Sequence, residues 1–138
     1  MNLFDAREKG VIRICIDEAV GGVFSGRIAA PLLAEDETFS DAADMLLAIE
    51  SYLDAGGGPQ AFQRGRTFGG NTRQVELCDE VREEAYDARG RLATCAVRVT
   101  TRQNSTWQGY VDMGGGEGGV FFASALELLF YIDGKLRK

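Results

Sequence analysis

Residues 11–55 lie over residues 94–138 without a gap, at a constant offset of 83 positions. Gly26 falls on Gly109, Phe39 on Phe122, Ala42 on Ala125, Leu46 on Leu129, Ile49 on Ile132 and Leu53 on Leu136. Core-type residues also meet core-type residues: Ile14 meets Val97, Ile16 meets Val99, Phe24 meets Trp107 and Ile28 meets Val111. A supersecondary unit used twice must bury both of its apolar faces in a shared core. That narrows the folds open to this chain more than any other feature.

Each copy has the same grammar. Val11-Ile12-Arg13-Ile14-Cys15-Ile16-Asp17 alternates with period two, which predicts a strand with Ile12, Ile14 and Ile16 facing inward. Cys95 to Thr101 is its counterpart, with Val97 and Val99 inward. The next strand carries Phe24, Gly26 and Ile28 on one face, and its counterpart carries Trp107, Gly109 and Val111. A glycine inside a strand marks close approach by another backbone or a ring. A helix follows in each copy. Its apolar stripe is Ala42, Met45, Leu46, Ile49 and Leu53 in the first and Ala125, Leu128, Leu129, Ile132 and Leu136 in the second. Ser124 with Glu127 forms a capping-box pattern, and Asp41 with Asp44 stands in the same two places. Gly56-Gly57-Gly58-Pro59 is a stop signal for the first helix.

The expected fold is α+β: duplicated β-hairpin–helix units forming an antiparallel sheet of about four strands, with two long helices on one face. Residues 1–138 read as a single domain, with copies at 11–55 and 94–138 and a connector at 56–93. Within the connector, the spacing of Val75, Cys78, Val81 and Ala85 favours a helix over residues 71–90; a strand through residues 74–78 is the rival. The second face of the sheet would carry Arg13, Cys15, Asp17, Ser25, Arg27, Arg98, Thr100, Gln108, Tyr110 and Asp112, polar enough to meet water.

The second copy reads Arg102-Gln103-Asn104-Ser105-Thr106-Trp107-Gln108-Gly109, then Phe122, Ser124, Leu126-Glu127-Leu128 and Ile132-Asp133. This resembles a group of small uncharacterised bacterial proteins with an RQN-x-x-WQG stretch and an F-x-S-x-x-E-L…(I/L)-D helix. Pro59-Gln60-Ala61-Phe62 and Arg66-Thr67-Phe68 also look like that group. The likeness covers about two thirds of the chain and leaves residues 69–90 unmatched. The group has no established activity, so the resemblance implies a cytoplasmic bacterial protein and no chemical role.

Composition excludes several function classes. The formal net charge is −6, which opposes binding to phosphate backbones and anionic lipid. The absence of histidine removes Ser-His-Asp and Cys-His arrangements and histidine metal sites. The three cysteines, Cys15, Cys78 and Cys95, have no paired spacing, so reduced thiols in a cytoplasmic protein are expected. The N-terminus lacks the apolar stretch of a signal peptide, and no run is long enough for a membrane span. No catalytic set, metal site or cofactor motif is expected.

The overlay points to one candidate site. Where the first copy has Ala19-Val20-Gly21-Gly22, the second has polar additions in its hairpin. Arg102, Gln103, Asn104, Trp107, Gln108 and Tyr110 are therefore the candidates for binding a protein or a small polar ligand. The competing interpretation makes Asn104 and Ser105 a turn, Trp107 core, and Arg102 and Gln108 caps for backbone groups. A second function class is nucleic-acid contact through Arg13, Arg27, Arg64, Arg66, Arg98 and Arg102 gathered on one face. An enzyme using Cys15 or a carboxylate ranks last. Gly114 to Gly119 lacks the lysine and hydroxyl of a phosphate loop. Asp79-Glu80 and Glu83-Glu84, interleaved with Arg82 and Arg89, read as a solvated, salt-bridged face. Leu126 and Phe130 form a second apolar row on the last helix, to be covered by the other helix or by a homodimer.

Overall fold

A computed structural model describes residues 2–5, 8, 10–57, 75–103, 106–114 and 118–136. Six antiparallel strands form its sheet: β1 (Val11–Val20), β2 (Val23–Ala29), β3 (Glu37–Phe39), β4 (Ala93–Gln103), β5 (Thr106–Asp112) and β6 (Val120–Phe122). The order across the sheet is β3-β2-β1-β4-β5-β6. Helix α1 (Ala42–Tyr52) follows β3, and helix α2 (Ala125–Leu136) follows β6.

The expectation of about four strands with two long helices is corrected on both counts. The added strands are the edges, β3 and β6, of three residues each. Three residues are too few to show alternation, and Val120-Phe121-Phe122 is a plain apolar run. The helices have 11 and 12 residues. After Tyr52 the chain continues into a wider turn, Leu53–Gly57, and breaks at Gly56, whose φ of 119° suits glycine.

Local chemistry starts both helices. Asp41 Oδ1 accepts from the Asp44 amide at 2.8 Å, while the Ser40 amide donates to Asp44 Oδ2 at 3.0 Å. Ser124 Oγ accepts from the Glu127 amide at 3.1 Å. Both helices lie on the same face of the sheet. Ile12, Ile14, Ile16, Phe24, Ile28, Val97, Val99, Trp107 and Val111 pack there with Met45, Ile49, Tyr52, Leu128 and Ile132.

The sheet is joined at its centre by β1 and β4, with Ile12 opposite Val97, Arg13 opposite Ala96 and Ile14 opposite Cys95. Each hairpin carries a register slip, between Ile16 and Glu18 in β1 and between Val99 and Thr101 in β4. Beside each slip a glycine faces the neighbouring strand: Gly26 opposite Ile16, and Gly109 opposite Val99. A Cβ at Gly26 would overlap the Cys15 carbonyl oxygen, and one at Gly109 the Arg98 carbonyl oxygen. The element that these glycines admit is thus the adjacent backbone.

The other face of the sheet is more covered than expected. Arg13 is 5% exposed and Cys15 is fully buried. A 3-10 turn, Leu3–Asp5, packs Leu3 against Val11 and Ala96. The end of the connector closes over β1. The Leu92 amide donates to the Ile16 carbonyl at 2.8 Å, and the Arg91 amide donates to Asp17 Oδ1 at 2.9 Å.

The described residues of the connector, 56–57 and 75–93, contain no α-helix, and residues 71–74 of the expected helix lie outside the described residues. Leu77 bridges to Leu33, the Cys78 amide donates to the Leu32 carbonyl at 2.8 Å, and only a short 3-10 turn, Glu83–Asp87, forms. The helix expected over residues 71–90 gives way to tertiary anchoring. Arg82 Nε donates to the Leu33 carbonyl at 2.8 Å, and Arg82 Nη2 lies 2.6 Å from Asp36 Oδ1. Helix propensity is a weak preference that such contacts override. Among the described residues, no helix is long and apolar enough to cross a membrane.

Candidate functional site

The hairpin residues singled out by the sequence separate in space. The slip between Val99 and Thr101 turns Arg102 onto the helix side, opposite Trp107. Trp107 is 1% exposed and belongs to the core. The Arg102 side chain is buried there, with Nη1 2.8 Å from Asp54 Oδ1 in the turn after α1. Gln108 is exposed and accepts from Thr101 Oγ1 at 3.2 Å. Tyr110 is half-buried on the other face, edge-on to Phe121 with ring centroids 5.7 Å apart. Gln103 ends β4 opposite Thr106, and Asn104 lies outside the described residues.

The arginines proposed for nucleic acid are largely engaged within the protein. Arg27 pairs with Asp17 and Asp36, each at 3.1 Å, and Arg98 pairs with Glu8 at 2.6 Å. Arg13 is buried, and Arg64 and Arg66 lie outside the described residues. Cys15 offers no activated nucleophile. Burial pushes its thiol up to about 11, outweighing the pull of Arg27, so it stays protonated at neutral pH. Arg82 pairs with Glu84 at 3.6 Å, and the described residues hold no cluster of metal-ligating side chains. Leu126 and Phe130 are exposed on α2.

A polar cleft of about 460 Å³ lies at one end of the sheet. The N-terminal turn, the end of the connector, the start of β4, the end of β5 and the last turn of α2 meet there. Asn2, Phe4, Arg89, Thr94, Asp112 and Lys135 are among the residues that line it. Asp112 is 1% exposed. Its Oδ1 accepts from the Gly114 amide at 2.9 Å, in a turn that Gly114 closes with φ 83°. Its Oδ2 is sealed from solvent and has no donor among the described residues. Leaving a buried acceptor unpaired costs about 1–3 kcal/mol, more for a charged group.

Arg13, Ala96 and Asp112 form one row across β1, β4 and β5. Arg13 Nη2 donates to the Phe4 carbonyl at 3.2 Å, and its Nη1 has no acceptor among the described residues. Its guanidinium lies 4.6 Å from the Phe4 ring centre, and that of Arg89 lies 5.4 Å away. Burial, then the like charge of Arg89, push the Arg13 pKa down, and Asp112 opposes them. Arg89 and Lys135 have no carboxylate within ion-pair distance among the described residues.

Sequence reasoning placed Asp112 on a wetted face, read Arg89 as part of a solvated, salt-bridged face and passed over Thr94 and Lys135. The overlay held the missing signal. At the offset of 83, Asp112 stands on Ala29, Lys135 on Tyr52 and Thr94 on Val11. Those three counterparts are buried. No protein-family model matches the chain, and no curated protein or solved structure matches it.

Proposed function

We propose that the chain is a non-catalytic binding module for a small polar ligand, built from two copies of a β-hairpin–helix unit. The ligand sits in the cleft lined by Asp112, Arg89, Thr94 and Lys135. One observation carries this reading: a residue whose buried carboxylate has an unpaired oxygen lines a cleft of ligand size. The copies support it as an internal control. What they share is core and caps, whereas each of three polar groups at the cleft replaces an apolar residue of the first copy. The hairpin at residues 102–108 draws less support, because Arg102 and Trp107 turn towards the helices and away from Gln108. Engaged arginines and a protonated Cys15 likewise give little to the nucleic-acid and enzyme readings.

The test is amide chemical-shift mapping on the full chain with a set of small polar probes. Shifts at Thr94, Met113 and Gly114, lost in Asp112→Ala, are expected. Alanine is what the first copy carries at this position, so the variant should fold. Shifts confined to residues 101–108, or none with any probe, would overturn the cleft as the site.

A further inference from the structure

Residues 75–92 of the connector are fastened to the sheet mainly by polar contacts. Only Ala85 among them is buried, so the segment exposes little apolar area when it leaves. A row of four alternating charges does the fastening. Asp17 Oδ2 lies 3.1 Å from Arg27 Nη1, Arg27 Nε lies 3.1 Å from Asp36 Oδ2, and Asp36 Oδ1 lies 2.6 Å from Arg82 Nη2. Both ends of the row hold the segment: Arg82 belongs to it, and Asp17 Oδ1 accepts from the Arg91 amide at 2.9 Å. All four side chains are partly exposed, where ion pairs are weak and screened by salt.

The segment covers one particular group. Cys15 stands opposite Arg27 on β2 and Thr94 on β4, and paired residues emerge on the same face. Both of these neighbours bond to the segment. Arg27 Nη2 donates to the Arg89 carbonyl at 2.9 Å, and the Gly90 amide donates to Thr94 Oγ1 at 2.8 Å. Residues 89–90 therefore cross over Cys15, which is fully buried although it faces away from the helices. Gly90 lies so close to β1 that a Cβ there would overlap the Ile16 backbone nitrogen. Cys95 is buried on the opposite face, in the core beneath the helices. We propose that residues 75–92 form a strap that opens as a unit while the rest of the fold stays closed, with Asp17, Arg27, Asp36 and Arg82 as its latch and Cys15 as the group it uncovers. Segments with few buried apolar contacts and solvated polar fastenings open at a lower free energy than the whole domain. Arg89 and Leu92 of the strap also line the Asp112 cleft, so opening takes apart one side of it. The opening itself does not depend on the cleft being a binding site.

The experiment is thiol labelling of the full chain with iodoacetamide, at urea concentrations below the unfolding midpoint, read residue by residue by peptide mass spectrometry. Cys78→Ser is the background, because a label on the strap itself would disturb it. Cys15 is expected to label about tenfold or more faster than Cys95, and with a weaker dependence on urea, because opening exposes less surface than unfolding. Asp36→Asn, which keeps the shape and removes the charge shared by Arg27 and Arg82, should speed Cys15 by about fivefold. Gly90→Ala, which unseats the strap without altering charge, should speed it by about tenfold or more. Asp41→Ala is the control. It weakens helix α1, which the open state retains, so it should speed Cys95 by about two- to thirtyfold and leave Cys15 unchanged. Equal rates and equal urea dependence at Cys15 and Cys95 would overturn the strap, since global unfolding alone would then expose either thiol. A Cys15 rate unmoved by Asp36→Asn would overturn the latch.

Discussion

Substituting alanine at Gly26 or Gly109 should be among the most damaging single changes in this protein. Neither glycine has the left-handed φ that alanine resists, so the cost is steric. The added methyl at Gly26 would overlap the Cys15 carbonyl oxygen and stand 3.0 Å from its carbon and 3.1 Å from the Asp17 amide nitrogen. At Gly109 it would overlap the Arg98 oxygen and stand 2.9 Å from Val99 Cα. All of these are backbone atoms, so no side chain can swing aside. The strands must part by roughly 1 Å, which carries ladder bonds beyond the ~2.7–3.2 Å range where they are strong. Losing two such bonds costs about 1 kcal/mol each, and leaving buried groups unpaired adds about 1–3 kcal/mol. The expected loss is about 3–5 kcal/mol for each variant, a large part of the ~5–15 kcal/mol that holds a typical domain. Urea unfolding followed by circular dichroism measures it. Gly134→Ala is the control: it lies inside α2 with nothing within 4 Å, so alanine should gain up to about 1 kcal/mol. A loss below about 1 kcal/mol at either strand glycine would refute the close-approach argument.

Two further outcomes follow from buried thiols and helix caps. Burial raises Cys15 to about 11 and Cys95 to about 12, from 9.0. Above pH 9 the unfolded chain releases thiol protons that the folded chain retains, so stability should be full below pH 9 and fall towards pH 11, by on the order of 2–3 kcal/mol from Cys15 alone. Urea midpoints across that range test this, and a flat profile would contradict it; Cys15→Ala should make the slope shallower. Asp41→Ala removes the acceptor for the Asp44 amide and should cost about 0.5–2 kcal/mol in a thermal melt. No change there would mean that water replaces the cap.

Much of the fold was legible because period and capping are local. The inward set Ile12, Ile14, Ile16, Val97 and Val99 follows from alternation, and all five are buried. Asp41 and Ser124 announce helix starts by residue type and spacing. Edge strands β3 and β6 were not legible. They are held by pairing to β2 and β5, and three residues carry no period of their own. The connector was misread for a related reason. Its Glu- and Arg-rich composition favours helix, but Arg82 spends its donors on Leu33 and Asp36, far away in sequence. Arg102 faced inward because of the slip between Val99 and Thr101, a one-residue change in register that reverses the side on which a side chain emerges.

The same register logic explains why the cleft forms where it does. Pairing at the centre of the sheet runs about Arg13 opposite Ala96: Ile12 meets Val97 as Ile14 meets Cys95. Two equal halves joined in this way would place equal groups on either side of that point. Here they do not. Beside Ala96 on the β5 side stands Asp112, whereas beside Arg13 on the β2 side stands Ala29. The N-terminal turn adds to the imbalance, since Phe4 sits over Arg13 and lines the cleft together with Asp112, Thr94 and Lys135. An alanine at residue 112 would restore the symmetry of the row and remove an unpaired buried oxygen. A chain selected for stability alone has reason to make that change. The binding role proposed for the cleft would give the carboxylate a reason to be there.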